Sequence, residues 1–521
     1  MGKLFSFFNK SKKKIRAGSQ RKEKISEGKP LYKNLDKNLK EIKNIFSYDN
    51  NKDFIIRDIY IKSLEKKGVI MYMAGMVGID KIEKQIIKPL LTEDIVNDTN
   101  KTPKDITKKI LQTASATEIY NFKEVIRYIL ADNTLLLIDG YNKAISINTA
   151  GQNHRAIEQP QMETVIKGPK EAFIESEEIN RSLIRKRLRN EKLITEDVTV
   201  GERTLTQVSM MYIKDIANPN LVKEVKKRLL EIQSDTVQNL GILEQHIEER
   251  PYSLVPTVLY TERPDRAAAF LNEGHVVLID NSAACLIVPV TFWSFFHTAE
   301  DMYERWAYGN FIRIIRVIAF WVALLTPAVY VAVTNFHHET LPADLLLALA
   351  ATREIVPFPV IIEVLIMEIS FELVREGGIR VPTTIGPTIG IVGALILGQA
   401  AVEASIVSPI LVIVVGITGI SSFVIPETST NFMVRMSRFL FLAFAVSFGF
   451  FGISVFLTVY ISYLCSIKSF GVSFFSPVVP HYRSSKDTIM RPPIWKQWLR
   501  PFNIRPQDVT RKKQPNGRSN Q

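Results

Sequence analysis

Hydrophobic positions along the chain fall into two regimes. Up to about residue 310 they come in short runs broken by Lys, Glu and Asp, the spacing of a folded soluble region. From 311 to 468 the apolar runs become long and nearly uncharged, the length that about 30 Å of hydrocarbon requires. Within the first regime one pattern occurs twice. A strand over Val69–Val77 is followed by helices over Asp80–Leu91 and Phe122–Leu130, then by two short strands in TLLLIDGYNKAISIN turning at Asp139-Gly140. The second copy has a strand at Gln207–Ile213, helices at Asn218–Ile232 and Arg263–Leu271, and the strands of VVLIDNSAACLIVPV turning at Asp280-Asn281. Two α/β subdomains are therefore expected, over 50–150 and 165–300. The link Ala150–Lys167 reads as polar and flexible, and Glu171–Arg189 as a helix with acids early and bases late. Residues 1–45 read as a basic flexible arm with a short helix near its end, folded sequence beginning near Asp53.

Four segments in the second regime are expected to span: 317–334, 385–402, 409–426 and 439–465. A fifth, 357–375, is helical in pattern but carries Glu363, Glu368 and Glu372. At 100° per residue Glu368 and Glu372 lie within about 40° of each other, with Arg375 beside them and Glu363 opposite. Such a narrow acidic stripe predicts a re-entrant or protein-buried helix, paired with Leu341–Thr352. Four crossings are the simplest count, and a six-crossing arrangement stays open.

Charge sets the orientation. Arg305, Arg313 and Arg316 precede the first span, which predicts a cytoplasmic N-terminal region. Both ends are basic: thirteen Lys/Arg against three acids in residues 1–40, and eleven against two from Lys468 onward, within a net charge of +13. The tail over 469–521 is thus expected in the cytoplasm too, and an even number of crossings satisfies both ends. Basic ends beside a membrane domain point to anionic lipid headgroups or to a solvated tail; no aromatic-interleaved basic module for nucleic acid is present. The first residues lack the apolar core and cleavage site of a secretory signal. The two cysteines, Cys285 and Cys465, fall in a soluble strand and an apolar span and are not expected to pair.

Candidate chemistry is sparse. No Gly-rich phosphate loop, nucleophile–base set or metal-ligand spacing appears, so no enzyme activity, metal or cofactor is expected. Ionisable groups at membrane depth are costly and mark ion routes or gating networks. Glu363, Glu368, Glu372, Gln399 and Glu403 are the candidates for a pore or gate; the plainer reading leaves Glu368 and Glu372 at the interface, with Arg375 partnering Glu372. Gly386, Gly390, Gly393 and Gly398 are candidate helix-packing positions, Gly386 and Gly390 in GxxxG spacing.

Several blocks carry a further signal. They are YIKDIANPNLVKEVKKRL (212–229), PTVLYTERPDRAAAFLNEGHVVLIDNSAACLIVPVTFWSFF (256–296), EDMYERW (300–306), REIVPFPVIIEVLIMEISFELVREGGIRVP (353–382), TIGIVGALILGQAAVEASIVSP (388–409) and SFGVSFFSPVVP (469–480). From about residue 50 to about 495 the chain resembles the A subunits of GerA-type spore germination receptors. The resemblance implies duplicated α/β cytoplasmic domains followed by an α-helical polytopic membrane domain in the inner spore membrane. It implies a transporter-like B subunit and a lipoprotein C subunit as partners, self-association of A subunits into a ligand-gated cation channel, and no enzymatic activity. Two alternatives remain: a germination-amplifying spore membrane protein of the same family, and a secondary transporter. The duplication lies in the soluble half, where a transporter would not need it.

Overall fold

The computed structural model describes residues 28–92, 116–151, 159–380, 398–482 and 487–512. The chain divides into two compact units, one of residues up to 156 together with 178–196, the other of 157–177 together with 197 onward.

In the first unit β1 (Phe54–Ile61), β2 (Lys66–Met73), β3 (Ala116–Ile119), β4 (Asn133–Ile138) and β5 (Ala144–Asn148) form an antiparallel sheet in the order β1-β2-β4-β5-β3. Side chains alternate between its faces, and both faces are covered, so the central strands read as unbroken apolar runs. Val69, Met71, Leu135 and Leu137 pack with α1 (Leu35–Ile45) and α2 (Phe122–Ile129). Ile70, Leu136 and Ile138 pack with Ile82, Ile86, Ile87 and Leu90 on the other side. Asn34 and Asn121 cap α1 and α2 by accepting the backbone N–H three residues on. This corrects the expected arm: Leu31, Leu35, Ile42 and Phe46 are core residues, so folded chain begins well before Asp53.

Asp53 is instead the unit's central anion. Arg185, on α3 (Glu177–Arg187), donates from Nε to Asp53 Oδ2 at 2.5 Å and from Nη2 to Asn51 Oδ1, Thr195 Oγ1 and the Leu193 carbonyl. Arg181 lies 3.2 Å from the other carboxylate oxygen, and Thr195 donates its hydroxyl at 2.7 Å. Burial works against the charge, but the two guanidinium groups outweigh it and hold the carboxyl below the usual carboxylate range.

The second unit repeats the architecture. β6 (Leu193–Val200), β7 (Thr206–Ile213), β8 (Leu259–Thr261), β9 (Val276–Ile279) and β10 (Cys285–Val288) belong to a sheet ordered β6-β7-β9-β10-β8, the order of the first sheet shifted by five strands. α4 (Pro219–Leu230), α5 (Leu240–Ile247) and α6 (Pro264–Glu273) belong with it. β1, β3, β6 and β8 were not anticipated; β1 and β6 carry charged positions and β3 and β8 are only a few residues long, which hides them from a hydropathy reading. Part of the link expected to be flexible is tied down: Thr261 Oγ1 and Arg263 Nη1 donate to Glu163, and Gln161 N–H donates to Glu262. The basic tail is also docked. Phe474 is buried, Phe292 N–H donates to its carbonyl at 2.8 Å, and Gln507 N–H donates to the Ile216 carbonyl.

The apolar region holds α7 (Trp306–Phe336), α8 (Ala343–Arg353), α9 (Val360–Arg380), α10 (Pro409–Phe423) and α11 (Thr428–Ser466). Among the described residues, α7 and α11 are the two helices long and apolar enough to cross a membrane. α11 is not one straight rod. Gly449 has φ 57° and ψ −137°, and the helix reverses there. Ser437 Oγ lies 3.3 Å from Tyr460 Oη, and the Phe441 and Phe456 rings are 4.7 Å apart, although 23 residues of continuous helix would separate the first pair by about 35 Å. The segment expected to span as 439–465 therefore holds the end of the first leg, the turn and nearly all of the second leg of a helical hairpin. Its legs, before and after Gly449, are about 31 and 25 Å long. His337, just past α7, seats its ring against Gly449 and Phe450.

Two outcomes test this fold. Asp53→Asn should destabilise the first unit by ~3–5 kcal/mol, because Arg185 is left buried without its counter-charge. Since the folded pKa is the depressed one, the anion's contribution is present above about pH 4 and is lost as pH falls through the folded value; an acid titration of Asp53→Asn should lack that loss. Nitroxides at Leu440 and Val459 should report a distance near one helix–helix spacing, about 10 Å between axes. Gly449→Val should lengthen it, since a side chain there meets both a disfavoured φ and the His337 ring.

Candidate functional site

Charges buried among apolar helices have to find partners, and α9 shows how. Glu363 is fully buried and Glu368 nearly so. Glu368 accepts from Arg438 Nη1 at 2.5 Å, and Glu372 accepts from Arg435 Nε at 2.8 Å. The spacings match: the two glutamates are four apart on α9, the two arginines three apart on α11, and the helices run antiparallel, so both pairs close as rungs of one ladder. Glu363 lies further along. It accepts the Ser408 N–H at 3.1 Å, at the N-terminus of α10, and sits 3.6 Å from Arg353 at the end of α8. Tyr330 of α7 reaches the same point, its hydroxyl 3.3 Å from Ser408 Oγ.

Arg375 does not partner Glu372, as the plainer sequence reading had it. It donates to Ser422 Oγ at 2.6 Å and lies over the Phe423 ring at 4.1 Å. α9 is a 21-residue helix aligned with α10 along its length, through Glu363–Ser408, Phe371–Gly419 and Arg375–Ser422. Gly419 permits the approach, since a Cβ there would fall on the Phe371 ring.

Gln399 and Glu403 stand apart from this cluster. Both are exposed, and Gln399 Nε2 donates to Glu403 Oε1 at 2.8 Å. Gly398 is buried, with its Cβ position 3.4 Å from Val412. Gly386, Gly390 and Gly393 lie outside the described residues. Arg353, Arg435 and Arg438 were missed by sequence reasoning. The signal was present: two arginines three apart, immediately before a long apolar run, have the spacing of one helix face.

A second charged centre sits where α7 leaves the second α/β domain. Asp301 accepts from Arg313 Nε at 2.9 Å, from Arg316 Nη1 at 2.8 Å and from the Thr298 N–H and hydroxyl. Arg313 also donates to Asp487 of the tail at 2.5 Å. The arginines outweigh the burial of Asp301 and hold its carboxyl low. Nearby His297 gives a hydrogen bond to the Thr488 carbonyl, and burial together with the Arg313 charge pushes its pKa down to about 4. Two of the three arginines used to orient the chain are thus buried in ion pairs that fasten domain, helix and tail together. A cavity of about 440 Å³ opens beside this centre, walled by α6, the Thr291–Ala299 segment and the tail. Among the described residues no group of three or more His, Cys, Asp or Glu side chains is placed to hold a metal ion.

This arrangement belongs to a known lineage. The profile described as "Bacillus/Clostridium GerA spore germination protein" matches residues 40–503. The chain belongs to the GerA family. Spore germination protein KA of Bacillus subtilis (strain 168) is 36% identical over 92% of this chain and 88% of its own length. Spore germination protein GerLA of Bacillus cereus is 35% identical over 92% and 97%. A B. subtilis relative, the uncharacterized membrane protein YfkQ, is 39% identical over 83% and 85%. A crystal structure of the N-terminal domain of the A subunit of the Bacillus megaterium spore germinant receptor GerK3 is 29% identical, covers 50% of this chain and 97% of that domain, and aligns with a TM-score of 0.41. In this GerA-family chain each glutamate of the α9 stripe lies against an arginine of another helix.

Its test is a double-mutant cycle. Glu368→Ala alone should cost ~3–5 kcal/mol by stranding Arg438, whereas replacing both Glu368 and Arg438 with Met should recover most of the loss. Thermal unfolding in detergent reads both; equal loss in the single and double variants would remove the ladder from the helix packing.

Proposed function

We propose that this chain is the A-type subunit of a nutrient-responsive germinant receptor in the inner spore membrane, and that copies of it enclose a cation path. The observation that carries this reading is the helical region itself. Its Glu363, Glu368 and Glu372 each lie against an arginine, while Phe311, Ile318, Ile413, Ile420, Phe444, Phe451 and Val459 remain on the outside, a surface that calls for lipid or for neighbouring helices. Crossings are assigned to α7, α9, α10 and the two legs of α11. α9 and α10 run parallel; the segment 385–402, expected from the sequence to span between them, lies mostly outside the described residues and is counted as a sixth crossing on its apolar length alone. The total of six keeps the α/β domains and the tail on one side, as their basic ends favour.

Within the proposed path the earlier candidates separate into two roles. Glu363, Glu368 and Glu372 hold the helices, their carboxylates already committed to arginines or to a helix N-terminus. Gln399 and Glu403, exposed and bonded to each other, are the groups left free to meet an ion or an adjoining subunit. A transporter-like B subunit and a lipoprotein C subunit complete the receptor in this reading, with nutrient recognition outside the A chain. The Asp301 centre is placed to carry a change in the α/β domain into α7.

Flux measurements test it. The chain reconstituted in vesicles with its partner subunits should release K⁺ on addition of nutrient. Glu403→Gln and Gln399→Leu should change that release severalfold with insertion and stability intact. Flux identical to wild type in both variants would take these residues out of the path, and an absence of flux from the assembled receptor would overturn the channel reading.

A further inference from the structure

The turn after α5 has a surface that its own domain does not use. Ser253 N–H donates to the Arg250 carbonyl at 2.9 Å, closing a four-residue turn with Pro251 at its second position. Pro251 fixes its own φ, and the turn is fastened on both sides. Before it, Glu249 accepts from Arg228 Nη2 at 3.0 Å and from the Gly471 N–H at 3.1 Å. After it, the Thr257 N–H and hydroxyl are both held by Glu248. On this rigid tip Tyr252 is completely exposed, at 102%, and Leu254 is about half exposed. Loop tips that simply face water are ordinarily polar.

The position of the tip explains the exception. Tyr463, near the end of the second leg of α11, donates its hydroxyl to Ser253 Oγ at 2.8 Å. Arg250 donates to Ser466 Oγ at 3.2 Å and lies over the Tyr463 ring. The tip is therefore level with the last turn of an apolar leg whose Val459 and Ile461 face outward. Where such a leg ends, an aromatic ring with a polar edge and a guanidinium beside it are the groups a bilayer surface accommodates best.

We propose that the Arg250–Leu254 turn is a membrane-interface anchor, with Tyr252 and Leu254 entering the headgroup layer and Arg250 meeting lipid phosphate. It rests on the membrane reading of α11. A guanidinium offers five N–H donors, and among the described residues one hydrogen bond, to Ser466, uses them, with the Tyr463 ring against its face. The anchor fixes the height of the second α/β domain above the lipid and so sets the angle at which that domain meets α7.

Spin-label accessibility in bilayers tests it on the full chain. One sample carries a nitroxide at Tyr252→Cys and another at Val459→Cys, both with Cys465→Ser, in mixed phosphatidylglycerol and phosphatidylcholine vesicles. The Val459 label should be open to oxygen and closed to a water-soluble nickel chelate, and the Tyr252 label should lie between lipid and water. Arg250→Glu should raise the nickel accessibility of the Tyr252 label about twofold or more. A Tyr252 label as open to nickel as free solvent, with Val459 still in lipid, would refute the anchor and leave the membrane reading standing. A Tyr252 label closed to both reagents would show a protein neighbour there and would also refute it. Nickel access at Val459 would remove the membrane reading and the anchor together.

Discussion

A charge withdrawn from water needs a counter-charge at contact distance, and the helical half of this protein is organised around that requirement. Glu368 and Glu372 meet Arg438 and Arg435, Glu363 meets a helix N-terminus and Arg353, and Arg375 finds a hydroxyl and an aromatic face. Each partner lies on a different helix from the glutamate it serves. Apolar side chains alone would let α9 slide or rotate against lipid-like neighbours at little cost, because burial has no preferred register. The ion pairs supply that register. They fix α9 against the first leg of the hairpin at two heights, and hydrogen bonds to Ser408 and Ser422 fix it against α10 at both of its ends.

The same rule operates in the α/β half and at the junction. Asp53 gathers Arg185, Arg181 and Thr195 into one buried centre in the first unit. Asp301 gathers Arg313 and Arg316 where the second α/β domain becomes α7, and Arg313 passes the connection to Asp487 in the tail. A single carboxylate receiving two guanidinium groups from one helix face is a stiff joint.

The hairpin at Gly449 gives the bundle its outline. Without a turn at that point the last helix would be 39 residues long, far beyond what a bilayer needs. Reversal at a glycine with positive φ converts it into two shorter legs and brings Ser466 back to the side where Glu427 begins. The tail can then fold onto the second α/β domain, which it does through Phe474 and Gln507.

Much of this was legible along the chain because hydrophobic period reports local structure directly. The repeated strands around VIMYM and SMMYI, the hairpins at Asp139-Gly140 and Asp280-Asn281, the apolar length of α7 and the acidic stripe of α9 all follow from near-neighbour spacing. So does the family, whose blocks are continuous stretches of sequence. What the linear order could not decide was pairing between distant residues. That Glu372 meets Arg435 and not Arg375, that Gln399 and Glu403 stand apart from the buried carboxylates, and that a long apolar run doubles back at one glycine depend on which helices lie side by side. Hydropathy along a segment is the same whether it is straight or folded, and a charge carries no mark of its partner. Only packing in three dimensions, where each buried ion must be neutralised within a few ångströms, selects among the arrangements the sequence allows.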